Sequence, residues 1–73
     1  MQRQERTLLL EWTVKGHPTQ SKTILTHSSE AEVVAKFLHR PWEEGPDLPV
    51  VIDCFEICEG QKVKLGHYQG QTQ

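Results

Sequence analysis

Between Leu48 and Cys58 the chain carries Val50, Val51, Ile52, Phe55 and Ile57, so apolar residues occupy both alternating sets of one extended segment. A strand with that pattern asks for cover on two faces. The rest of the sequence offers a single amphipathic helix signal, and one helix covers one face of a sheet. With 73 residues there is room for one small domain and no second one to supply the missing cover. A core of this size is worth only about 3 to 5 kcal/mol net, so a partner surface is a natural source of further stabilisation.

The other elements follow from pattern and punctuation. From Thr7 to Lys15 the alternation puts Leu8, Leu10, Trp12 and Val14 on one side and Leu9, Glu11, Thr13 and Lys15 on the other, which predicts a strand. Residues 16–20 (GHPTQ) are turn chemistry, and Ser21 to Thr26 is rich in β-branched residues, predicting a second, antiparallel strand of open register. Ser29 and Glu32 have capping-box spacing, so a helix of roughly ten residues starts there. It presents Ala31, Val34, Phe37 and Leu38 inward and stops at Pro41. Pro41 to Asp47 reads as a loop in which Trp42 folds back on the core edge. Glu59-Gly60 turns the chain, and Lys62 to Leu65 allows a short fourth strand.

The expected fold is therefore α+β: a small three- to four-stranded antiparallel sheet with one helix packed on one face, in the order β-β-α-β with a possible short extra strand. Residues 1–66 form the compact domain, and residues 67–73 are expected to be a flexible polar tail. On the third strand either Val50, Ile52 and Cys54 or Val51, Phe55 and Ile57 meet the helix. We place the second set outside, beside Leu9, as an apolar docking patch rimmed by Glu11, Asp53 and Lys15. The competing arrangement folds the tail or the Trp42 loop across that face. Arg3 and Arg6 add a basic patch beside the first strand that could reach a carboxylate or an RNA phosphate. The candidate partner-binding residues are thus Arg3, Arg6, Leu9, Glu11, Val51, Asp53 and Phe55.

Charge narrows the partner. Eight Lys and Arg against ten Asp and Glu leave −2, too little positive charge for stand-alone binding to nucleic acid. The distribution is uneven: residues 1–27 sum to +2, residues 28–60 to −6 and residues 61–73 to +2. Such an arrangement can steer an encounter with a partner of mixed potential. The longest apolar run is Leu8-Leu9-Leu10, far short of a membrane span. The start of the chain is polar and lacks a secretory core, so a cytoplasmic location is expected.

The chemistry of catalysis is sparse. Cys54 and Cys58, four residues apart on one predicted strand, stand about 13 Å apart, too far for a disulfide or a shared ion. Both are expected to be reduced and buried, and only a break in the strand near Glu56 would open a zinc site with His67 or His27. His17, His27, His39 and His67 show no convergent carboxylate by spacing, and Glu43, Glu44 and Asp47 cluster in a solvated loop. Neither a phosphate-cradling glycine loop nor a serine elbow is present. A monomeric protein that is not an enzyme, with no cofactor and no metal, is expected.

Three stretches, TLLLEWTVKG (7–16), SKTILTHSSEAEVVAKFLHR (21–40) and PVVIDCFEICEG (49–60), give a strand, strand, helix, strand order over the whole chain. In this order and in length the chain resembles the small phage-encoded regulators that bind host bacterial RNA polymerase, of the Xanthomonas phage antiterminator-like type. The resemblance lies in the pattern and carries no signature residue. It implies a protein that inhibits initiation by displacing the σ factor and promotes antitermination. It also implies docking on the largest polymerase subunit, near its N-terminus and the RNA exit channel, with NusA as a possible helper in the host bacterial cytoplasm. The alternative is a small interaction module that inhibits another host enzyme, such as a nuclease or a CRISPR complex.

Overall fold

A computed structural model describes residues 4–73. They form β1 (Arg6–Val14), β2 (Gln20–Thr26), α1 (Glu30–Leu38), β3 (Pro49–Cys58) and β4 (Gln61–Gln71). The strands make one antiparallel sheet in the order β2-β1-β3-β4, with the helix on one face, so the α+β architecture is as expected. Among the described residues no helix is long and apolar enough to cross a membrane.

The register of β1 on β3 pairs Leu10 with Cys54, Trp12 with Ile52 and Val14 with Val50. Residues directly opposite share a face, so these six and Leu8 form the inner layer, and all seven are buried. Val33, Val34 and Phe37 of α1 close over them. Ala31 is exposed and Val33 takes the place expected for it. The edge-on ring contacts from Phe37 to Trp12 (4.7 Å) and to Trp42 (5.1 Å) bind sheet, helix and loop together.

Local chemistry accounts for the boundaries. The Ser29 hydroxyl accepts from the Glu32 amide at 3.3 Å, which caps the start of α1. At the other end the Trp42 indole donates to the Leu38 carbonyl at 3.2 Å, so the loop tryptophan both fills the core edge and satisfies a helix terminus. Glu59 (φ 53°) and Gly60 (φ 77°) join β3 to β4 in a two-residue hairpin with both central residues left-handed.

Residues 67–73 are not a flexible polar tail. β4 runs to Gln71, with His67 opposite Asp53 and Gln71 opposite Pro49. The backbone of β3 supplies the reason: a central strand needs hydrogen-bonding partners on both sides, and residues 67–71, although polar, provide them. Thr72 then locks the end. It is fully buried; its hydroxyl donates to the Gly45 carbonyl (2.7 Å) and accepts from the Leu48 amide (2.8 Å). Its backbone also pairs with Asp47 and Leu48. A bulge between the Cys54–Gly66 and Phe55–Lys64 pairs leaves Leu65 as an extra residue in β4. Beside it, Gly66 makes room for Tyr68, since a Cβ at Gly66 would fall 3.0 Å from that ring.

Candidate docking face

The face of the sheet turned away from α1 is built by the other alternating set. Three cross-strand pairs of β1 and β3 stack along it: Leu9 with Phe55, Glu11 with Asp53, and Thr13 with Val51. Leu9, Glu11, Val51, Asp53 and Phe55 are therefore brought together, as the candidate residues require. No helix or loop crosses this face among the described residues; α1 packs over β3 and β4 from the opposite side.

The face is nevertheless not a continuous apolar patch. Glu11 and Asp53 sit in the middle of it rather than on its rim, dividing Leu9 and Phe55 from Val51. Two carboxylates directly opposite each other repel, and β4 supplies the compensating positive charge. Lys62 Nζ is 3.2 Å from Glu11, Lys64 Nζ is 3.5 Å from Asp53, and His67 Nδ1 donates to Asp53 at 2.6 Å. The hydrogen bond from His67, with Lys64 alongside, holds the Asp53 carboxyl below its ordinary pKa. On its way to Glu11 the Lys62 ammonium passes 4.5 Å from the centre of the Phe55 ring. Leu9, Phe55 and Ile57 are consequently half-buried, whereas Val51 (37% exposed) and, on the neighbouring strand, Leu25 (64%) are open.

The remaining candidates are elsewhere. Arg6 lies on the helix side of the sheet and is engaged: its guanidinium meets both oxygens of Glu56 at 3.1 and 3.3 Å. That hydrogen bonding raises the Arg6 pKa further and makes it a clasp between β1 and β3 rather than a free basic patch. Arg3 lies outside the described residues.

Two expectations about reactive groups change. His67 does have a carboxylate partner, Asp53, and the signal for it lay in the register of a strand whose polar sequence did not announce itself. Cys58 is exposed, at the hairpin end of β3, while Cys54 is buried with its thiol pushed up in pKa by that burial. Among the described residues no three His, Cys, Asp or Glu side chains converge as a metal site. No family model matches the chain, and searches of curated proteins and of solved structures likewise return no match.

Proposed function

We propose that this chain is a binding protein without catalytic activity, that its outer sheet face docks on a macromolecular partner, and that the partner is bacterial RNA polymerase. The observation that supports docking is the absence of any covering element over Leu9, Val51, Phe55 and Ile57 among the described residues. The ion pairs between them suit a regulated contact: Lys62 and Lys64 are exposed and can swing from Glu11 and Asp53 to a partner's carboxylates, uncovering Phe55 as they leave. The choice of polymerase, with σ displacement and antitermination as the outcome, rests on the resemblance of residues 7–16, 21–40 and 49–60 to phage regulators.

The test is capture of polymerase by the immobilised chain from a bacterial lysate, with the largest subunit identified by mass spectrometry. Val51→Asp is expected to abolish capture while the circular dichroism spectrum is unchanged, because surface substitutions shift stability by only about 0.5 kcal/mol. Undiminished capture by that variant removes the outer face from the reading. A pull-down without polymerase subunits removes the partner.

A further inference from the structure

A second surface lies on the helix side of the molecule, where the sheet extends beyond its cover. Because α1 packs over β3 and β4, a groove of about 290 Å³ opens between it and β2. Val33 and Phe37 form an apolar floor and Ile24 a half-buried wall, while Lys22, Lys36 and Arg40 stand around it. None of these three cations is paired with a carboxylate among the described residues, and no acidic residue lines the groove.

Arg40 is fixed in place. Its guanidinium carbon lies 4.3 Å from the centre of the Trp42 ring, 4.4 Å from that of Phe37 and 5.2 Å from that of Trp12. Its Nε is buried with no hydrogen-bond partner. A cation held by three rings is preorganised, and a ligand carboxylate meeting it gives up little side-chain entropy. Glu43 and Glu44 line a different cavity next to Arg40, where Glu44 accepts from the Gln20 amide at 3.1 Å. They bound the positive region at that end.

The groove also runs along a free strand edge. β2 is one of the two edge strands, bonded on one side to β1, so its other side presents unpaired backbone donors and acceptors along the groove. We propose that this groove receives an extended peptide segment that adds to the edge of β2, placing acidic side chains toward Lys22, Lys36 and Arg40 and an apolar one over Phe37. Main-chain pairing supplies affinity and the alternate side chains supply selectivity. A nucleic acid strand would satisfy the cations and leave the strand edge unpaired. A second copy of this chain, paired edge to edge through β2, would bring a duplicate set of the same positive charges together.

The experiment is a titration of the ¹⁵N-labelled chain, read from its amide spectrum. The probe is an acetylated octapeptide with threonine at odd positions and glutamate, isoleucine, glutamate and glutamate at even ones. Shifts are expected at residues 22–26 and 33–40. A counterpart with lysines for glutamates is expected to bind about tenfold more weakly, and one with a central proline not at all. Lys22→Glu combined with Lys36→Glu changes two exposed side chains, so dispersed amides will confirm an intact fold, and the preference is expected to reverse. Val51→Asp on the opposite face is expected to leave the titration unchanged, separating this site from the docking face. The proposal is overturned by no response at about 1 mM peptide, by equal response to the acidic and basic peptides, or by a stronger response to a ten-residue oligothymidylate.

Discussion

The two edges of the sheet end very differently. β4 is eleven residues long, and it is fastened from three sides: Tyr68 donates to Glu30 of the helix at 2.9 Å, Leu38 packs on Gly70, and Thr72 is built into the loop at residues 45–48. β2 is seven residues long, has no buried residue and meets the helix only across an open groove. The edge strand that is polar in sequence is thus the better anchored one, and the edge strand rich in β-branched residues is the looser one. Anchoring of an edge strand here follows from where the helix and the loop sit, not from the strand's own propensity.

Substitutions can erase or exaggerate that contrast. Phe37→Ala should have the largest effect, about 3 to 5 kcal/mol, because it removes the ring shared by Trp12, Trp42 and Arg40. In so small a domain both edges would then unfold together in urea. Thr72→Val should cost about 2 kcal/mol by leaving the Leu48 amide without its partner, and Thr72→Ser should restore most of it. In hydrogen exchange, the valine variant should bring the last amides of β4 to rates like those of β2.

Glu59→Asn should act in the other direction. Asparagine tolerates the left-handed conformation that Glu59 is held in, so the β3–β4 hairpin should gain roughly 0.5 kcal/mol and β4 should become still better protected. The smallest effect is the acid dependence of the Asp53 bridge. Since its folded pKa is depressed, the unfolded chain takes up that proton first as the pH drops. Its contribution is complete above the ordinary aspartate value of about 3.9 and disappears as pH falls through the lower folded value. Thermal melts of the wild type and Asp53→Asn should therefore differ near neutral pH and converge in acid.

Where burial of side chains built the structure, the sequence displayed it. The alternation of Leu8, Leu10, Trp12 and Val14, the Ser29 cap and the inward fold of Trp42 all follow from apolar spacing or capping chemistry. The double-sided pattern of β3 correctly divided Val50, Ile52 and Cys54 from Val51, Phe55 and Ile57. What could not be seen is held by backbone. β4 pairs through residues 67–71 with only Tyr68 contributing a sizeable apolar body, so its pattern carries no period to detect. The Asp53–His67 bridge depends on that unseen register, and with it the polar division of the docking face. The groove beside β2 arises from the lateral placement of the helix, which no local pattern encodes.

The extra residue at Leu65 stands outside the pairing of the last strand. Lys62 and Lys64 before it, and His67 and Gln69 after it, differ in parity yet project to the same side only because the bulge absorbs one position. Deleting Leu65 would splice two halves whose pairings already agree, since Phe55–Lys64, Cys54–Gly66 and Asp53–His67 would then follow one another as in a regular ladder. Tyr68 would keep its place on the helix side and Lys62 and Lys64 theirs on the outer side, so the strand carries one residue of slack, spent on a kink.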